Sequence, residues 1–185
     1  MTGKNHRGRP FGGPHGEMGA SLRYLSQRYT MPNPELKAIL TDVGTEELAH
    51  LEMVGAIVYQ LTRNQTPEQI KKAGFDAYFI DHTTGIYPAD ASGVPFNAAT
   101  FASTGDSLAD IHEDLAAEQK ARLTYDNILR YCDDDPEVRD AIRFLREREV
   151  VHYQRFGEGL RIITDSLDSK NFYAFNPQYD QKKNM

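Results

Sequence analysis

The stretch Gly44-Thr45-Glu46-Glu47-Leu48-Ala49-His50-Leu51-Glu52 decides the fold. It lies inside a long periodic run, and it puts a carboxylate and an imidazole where that run calls for Leu or Val. The run reads Leu36, Leu40, Val43, position 47, position 50, Val54, Ile57, Leu61, in alternating steps of four and three. This spacing predicts one inward face of an α-helix. Glu47 and His50 fill two of its slots. Glu46 is also within helical reach of His50 at i,i+4, but it turns away from the seam.

A second helix repeats the device. Val138, Ile142, Leu145, position 149, position 152, Phe156, Gly159 and Ile163 follow the same steps, with Glu149 and His152 in the central slots. The chain therefore carries Glu-x-x-His twice, each time on the predicted buried face. A third pattern, Leu108, Ile111, Leu115, position 118, position 122, Tyr125 and Leu129, is interrupted by Glu118 and Arg122. In a fourth, shorter pattern Glu17, Ala20 or Ser21, and Tyr24 share a face.

Burying these groups unpaired is prohibitive, because an isolated buried carboxylate costs more than a domain's whole stability. They need cations. Arg122 is expected to offset one charge inside the core, and a pair of divalent metals accounts for the other carboxylates and for the imidazoles. A Glu from each of two helices with a Glu-x-x-His from each of two others is the ligand layout of di-iron and di-manganese carboxylate bundles. Here these are Glu17, Glu118, Glu47/His50 and Glu149/His152. Glu and His at i,i+3 stand one turn apart on one face, so both can reach one ion. A lone Glu-x-x-His is most simply a surface match. Two of them in the centres of apolar seams, with Glu17 and Glu118 on partner helices, point to a dinuclear site. Tyr24, beside Glu17, is a candidate to hydrogen-bond a ligand. His6, His15, His82 and His112 are read as surface or loop residues.

The predicted organisation is all-α, a single domain over 1–185. Residues 1–16 read as coil. The first helix spans about Glu17 to Tyr29. Asn33 and Pro34 give an N-cap and a first-turn proline for the second helix, which runs to about Arg63. Residues 64–107 form a long insert, with a short helix opened by Thr66-Pro67 and closed by Gly74, then an irregular stretch over 75–105 of the length that tends to be functional or interfacial. The third helix spans about Asp106 to Tyr131, and the fourth runs from Asp135-Pro136 to about Leu167. Residues 168–185 are a tail, whose aromatics Phe172, Tyr173, Phe175 and Tyr179 are read as packing on their own bundle or on a neighbouring copy, the neighbour being slightly preferred. A short link, a long crossover between helices 2 and 3, and a second short link give the ferritin-like form of the four-helix bundle.

Bulk properties agree. Apolar and charged fractions of 39% and 26% exclude wholesale disorder, and a formal charge of −6 argues against nucleic-acid or anionic-membrane partners. The basic cluster Lys4-Asn5-His6-Arg7-Gly8-Arg9 is short and reads as a solvated tail. One cysteine, Cys132, excludes a disulfide framework or a CxxC site within one chain, and its position beside three Asp marks a helix end. The N-terminus carries charge without an apolar h-region, and no apolar run is long enough to span a membrane. The expectation is an intracellular protein.

The segments GEMGASLRYLSQRY, LTDVGTEELAHLEMVGAIVYQL and AAEQKARLTYDNILRYCDDDPEVRDAIRFLREREVVHYQRF resemble the manganese catalases, in style the short spore-coat-associated bacterial members. The resemblance covers all four helices. It implies two manganese ions that disproportionate hydrogen peroxide to water and dioxygen. It implies Glu17, Glu47 and His50 on one ion and Glu47, Glu118 and His152 on the other, with Glu47 bridging. Glu149 matches a carboxylate that stays off the metal and handles protons, and Tyr24 a tyrosine hydrogen-bonded near the first glutamate ligand. Ala117 stands where some members carry Arg, which alters the anion environment and not the ligand set. The resemblance also implies a homo-oligomer, often a hexamer, and either a cytoplasmic place or one in the spore coat beside other coat proteins. Iron is the alternative metal, since first-row affinities do not favour manganese. A di-iron peroxidase or ferroxidase, or a coat protein with an idle site, are the competing readings. The single cysteine excludes the Cys-rich iron domain that rubrerythrins add.

Overall fold

Caps set the helix boundaries. In a computed structural model, described here over residues 9–74, 76, 88–90 and 94–169, the chain forms α1 (Arg9–Gly12), α2 (Glu17–Gln27), α3 (Pro34–Thr62) and α4 (Pro67–Ala73). A 3₁₀ turn (Ala98–Thr100), α5 (Ser107–Leu129) and α6 (Pro136–Ser169) follow. Asn33 Oδ1 accepts from Leu36 N at 3.0 Å, with Pro34 in the first turn. Thr66 and Gln69 close a reciprocal capping box on α4, and Gly74 ends that helix at φ 77°, a left-handed position that glycine adopts without strain. Asp106 caps α5 by accepting from Leu108 N and Ala109 N, and Asp135 accepts from Val138 N at the start of α6. No strand occurs among the described residues beyond an isolated bridge between Ala89 and Pro95. None of the described helices is long and apolar enough to cross a membrane.

The predicted all-α bundle of four long helices is the observed architecture. α2 packs on α3, α5 on α6, α3 on α6 and α2 on α5, so α3 and α5 lie across the bundle from each other. Two apolar clusters fill the interior. One holds Tyr24, Met31, Leu36, Leu40, Val43, Ile111, Phe156 and Ile163; the other holds Phe11, Val54, Tyr125, Ile128, Cys132, Ile142 and Leu145. The first therefore contains the early part of both α3 and α5, and the second contains later parts of both. The two helices thus point the same way. A helix of 29 residues is about 43 Å long, so the chain leaving α3 must return along the bundle before α5 can start. This is the physical reason for the long insert.

The expectations need four adjustments. Residues 1–16 are not all coil, because α1 docks between α2, α3 and α5 and buries Phe11 against Gly55. In α3 the apolar seam beyond Val54 continues through Val58 and Thr62, leaving Ile57 and Leu61 half-buried. A 3.5-residue repeat drifts against a 3.6-residue helix, and over 29 residues the drift reaches a neighbouring row. In α5 the inward face is rotated toward Asp110 and Asp114, which moves Leu115 and Arg122 to its margin. Arg122 is consequently half-exposed. It donates to Asp126 at 2.5 Å and to Gln119 at 2.9 Å, and it is not the core cation the pattern suggested. The aromatic tail lies outside the described residues, as do His6 and His82 and most of the 75–105 stretch.

What is described of the insert is tied down. Asp90 N donates to Val94 O and Phe96 N to Pro88 O. Gly12 packs so closely on this segment that a Cβ there would lie 2.3 Å from the Pro88 carbonyl carbon. Asp110 accepts from Thr104 N, Thr104 Oγ1 and Gly105 N at 2.8, 2.8 and 3.1 Å, which fastens the end of the insert to α5.

Gly44 sets the approach of α2 to α3. Ser21 Oγ donates to Gly44 O at 2.6 Å, and a Cβ at 44 would lie 2.9 Å from Leu25 Cγ and 3.3 Å from Tyr24 Cβ. The Gly44→Val protein is expected to lose about 1–3 kcal/mol by overpacking, read as a lower urea midpoint with an unchanged slope.

Candidate metal centre

Between the two apolar clusters the four long helices turn polar side chains toward one another. Glu17 (α2), Glu47 and His50 (α3), Glu118 (α5), and Glu149 and His152 (α6) are each no more than 2% exposed. The cause is the register described above: on α3 and α6 the apolar residues stop one turn before each Glu-x-x-His and resume after it. Ligand atoms of Glu47, His50, Glu149 and His152 all lie within 4.8 Å of one another.

Glu47 divides its two oxygens between the imidazoles. Its Oε2 lies 2.7 Å from His50 Nδ1 and its Oε1 lies 2.8 Å from His152 Nδ1. Glu118 Oε2 is 3.4 Å from His152 Nδ1, and Glu149 Oε1 is 3.8 Å from His50 Nδ1. The rings of His50 and His152 stack with centroids 5.3 Å apart. Tyr24, fully buried, donates its hydroxyl to Glu118 Oε1 and rests edge-on against Phe156. Its partner is thus the α5 carboxylate, where the sequence pattern had suggested Glu17.

Outside this ring stands Glu46. It is about a quarter exposed, with Oε1 3.5 Å from His50 Nε2 and Oε2 3.2 Å from His152 Nε2. Arg148 grips it with Nε at 2.5 Å from Oε1 and Nη2 at 3.0 Å from Oε2. Its i,i+4 relation to His50 was legible, but its reach to α6 was not. Its partner Arg148 neighbours Glu149 in sequence and is equally indistinct there.

The electrostatics describe crowded acids. Burial, and next the charge of Glu47, hold Glu17 and Glu118 above the ordinary carboxylate range. Burial, then the charges of Glu47, Glu118 and Glu17, push Glu149 well up. Burial opposes the charge of Glu47 too, but His152 and His50 bring its carboxyl down to about 2. Burial works against the charge on His152, yet Glu118 and Glu47 raise it to about 10.

The residues fit a pair of cations. Glu17 Oε1, Glu47 Oε1, Glu118 Oε2, Glu149 Oε1, His50 Nε2 and both ring nitrogens of His152 are buried with no partner in hydrogen-bonding geometry, although Glu47 Oε1 and His152 Nδ1 lie 2.8 Å apart. Orphans of this kind are rare in folded proteins. They converge on one layer, and a donor set of carboxylates and imidazoles suits manganese or iron.

A further polar group reaches this layer from the insert. Arg23 and Gln27 of α2, with Asp110 and Asp114 of α5, are buried, and Gln27 Nε2 donates to Ala102 O at 3.1 Å. Asp110, Asp114 and Glu118 repeat at i,i+4, a signal the sequence held and which the apolar seam obscured. Neither oxygen of Asp114 is in hydrogen-bonding geometry with a partner.

Residues 9–175 match the family model described as manganese containing catalase. The chain is 47% identical over 163 residues to the protein CotJC of Bacillus subtilis, covering 88% of this chain and 85% of that one. It is 33% identical over 162 residues to a probable manganese catalase of Clostridium acetobutylicum, covering 87% and 71%. The crystal structure of KatB, a manganese catalase from Anabaena, superposes with a TM-score of 0.72 at 29% identity, over 96% of this chain and 78% of that one.

Burial raises Asp114 well above its ordinary 3.8, against weaker opposition from Gln27 and Arg23. A folded-state value above the unfolded one means the folded form binds the extra proton. The penalty is absent below about 3.8 and grows as pH rises beyond it. Asp114→Asn removes that penalty. Melts of metal-free protein from pH 4 upward should show the variant gaining on wild type as pH rises, and a pH-independent offset contradicts the account.

Proposed function

The chain belongs to the manganese catalase family, and from that premise we propose that it disproportionates hydrogen peroxide at two manganese ions, two peroxides giving two waters and one dioxygen. The observation that carries this reading is the convergence of orphaned carboxylate and imidazole atoms in one buried layer. In this reading Glu17, Glu47 and His50 would hold one ion and Glu47, Glu118 and His152 the other. The division of the Glu47 oxygens, one toward each imidazole, supports a place for Glu47 in both sets. Bound manganese supplies the two-electron exchange with peroxide that the side chains cannot.

The protein's own part is to shape the site and move protons. Cleaving the O–O bond requires a proton on the departing oxygen, and oxidising the second peroxide releases protons. Glu149 is assigned to carry them. Its carboxyl is buried and prefers its proton, a property suited to a general acid near an oxygen-rich centre. Tyr24 is assigned as a positioning residue. Its hydroxyl occupies Glu118 Oε1, which leaves Oε2 for metal. The apolar clusters on both sides exclude water from the layer.

Two supports extend beyond the site. All four long helices contribute to the shared clusters, in keeping with a single domain over 1–185. Leu48, Phe144 and Tyr153 are large and exposed on α3 and α6, in keeping with a homo-oligomer, for which a hexamer is the expectation. A second reading, a spore-coat protein whose metal site turns over slowly or not at all, is favoured by the likeness to CotJC together with the sequence's resemblance to short coat-associated members. That reading allows a place in the spore coat as well as in the cytoplasm.

Protein from manganese-replete cells should carry two manganese per chain and evolve one dioxygen per two peroxides. Metal bound without oxygen evolution selects the coat reading, and iron with oxidation of a reductant in place of oxygen selects the peroxidase. The Glu149→Gln protein should keep both metals and lose about 10²–10⁴-fold in turnover. Full activity in that variant, or loss of a metal ion, removes Glu149 from the proton role.

A further inference from the structure

Glu46 and Glu47 are adjacent in sequence, yet they bracket the same two imidazoles from opposite sides. Each ring presents Nδ1 to Glu47, at 2.7 and 2.8 Å, and Nε2 to Glu46, at 3.5 and 3.2 Å. One oxygen of Glu46 lies nearest His50 on its own helix and the other nearest His152 on α6. The Nε2 atoms stop short of full hydrogen-bonding geometry.

A neutral imidazole has one N–H and one lone pair, and the partner on one nitrogen decides which atom is which. A carboxylate facing Nε2 favours Nε2–H and leaves the Nδ1 lone pair for a metal. A single carboxylate facing two imidazoles does this twice. It must then be rigid and charged, and here the fork of Arg148 supplies both: two parallel N–H···O contacts fix the plane of the carboxylate and balance its charge. Arg148 precedes Glu149, so α6 brings the clamp and the proton carrier to the site together.

We propose that Glu46, clamped by Arg148, is a positioning residue that sets the tautomer and rotation of His50 and His152 together, so that affinity for both metal ions depends on one carboxylate outside the ligand set. This rests on the dimetal reading above. It assigns Glu46 to the site, although the apolar seam directs it away.

The test is metal binding, not turnover. Wild type, Glu46→Ala and Glu46→Gln are titrated with manganese against a chelator of known affinity, and the melting temperature of each metal-free protein is recorded. Glu46→Ala should lose about 10–100-fold in affinity at both ions. Glu46→Gln keeps the volume but turns an NH₂ toward one ring, so it should lose affinity at one ion more than at the other. In zinc-loaded protein labelled with ¹⁵N-histidine, wild type should show protonated Nε2 and metal-bound Nδ1 on both rings. In Glu46→Ala those Nε2–H signals should broaden through exchange with water. A merely structural role would lower the melting temperature and leave these signals in place.

A folded Glu46→Ala protein with wild-type affinity at both ions and both Nε2–H signals intact overturns the proposal. If wild type itself binds no metal, it is the dimetal reading that falls. Should Glu46→Ala fail to fold, Arg148→Met, which leaves the carboxylate unclamped, takes its place. A smaller loss at both ions supports the proposal, and unchanged affinity rejects it.

Discussion

The structure depends on one constraint: six ionisable side chains are buried in one layer with an apolar cluster on either side. Charge of one sign cannot be concentrated there, since the mutual repulsion of carboxylates in a low-dielectric interior far exceeds the stability of a domain this size. Burial and crowding raise the carboxyls of Glu17, Glu118 and Glu149, and Glu118 and Glu47 raise His152. In the proposed dimetal reading a pair of divalent cations would supply the opposing charge, so metal affinity and fold stability would be linked.

The same constraint explains the arrangement of the rest. The apolar clusters above and below hold the four helices at the spacing the polar layer requires, and Gly44 and Ser21 bring α2 close enough to α3 for Glu17 to meet Glu47. Tyr24 donates to Glu118 and Arg148 to Glu46, and these contacts restrict the rotation of both carboxylates. A site made of six side chains on four elements has many ways to be slightly wrong.

The buried polar group of Arg23, Gln27, Asp110 and Asp114 continues this pattern toward the insert. Its members lie on α2 and α5, and Asp110 and Gln27 anchor the returning chain at Thr104, Gly105 and Ala102. The long connection, forced by two helices pointing the same way, is thus joined to the same helices that carry Glu17 and Glu118.

By itself the sequence determined the four long helices, where they begin, and the Glu and His residues that stand on their inward faces; the short α1 was not legible in it. Caps such as Asn33, Thr66 and Asp106 and the Glu-x-x-His pair are local signals, set by neighbours within one or two turns. Tertiary structure decided what required a second element. That Arg122 faces Asp126 and solvent, while Arg23 is the buried arginine, depends on how α5 is rotated in the bundle, a choice worth only a few tens of degrees and invisible in a seam of step four and three. That Tyr24 serves Glu118, that Phe11 of the N-terminal segment enters the core, and that Glu46 reaches across to His152 depend likewise on distances between helices. A helix's own pattern states which face it buries, and the neighbours across the interface determine what each polar group on that face finds there.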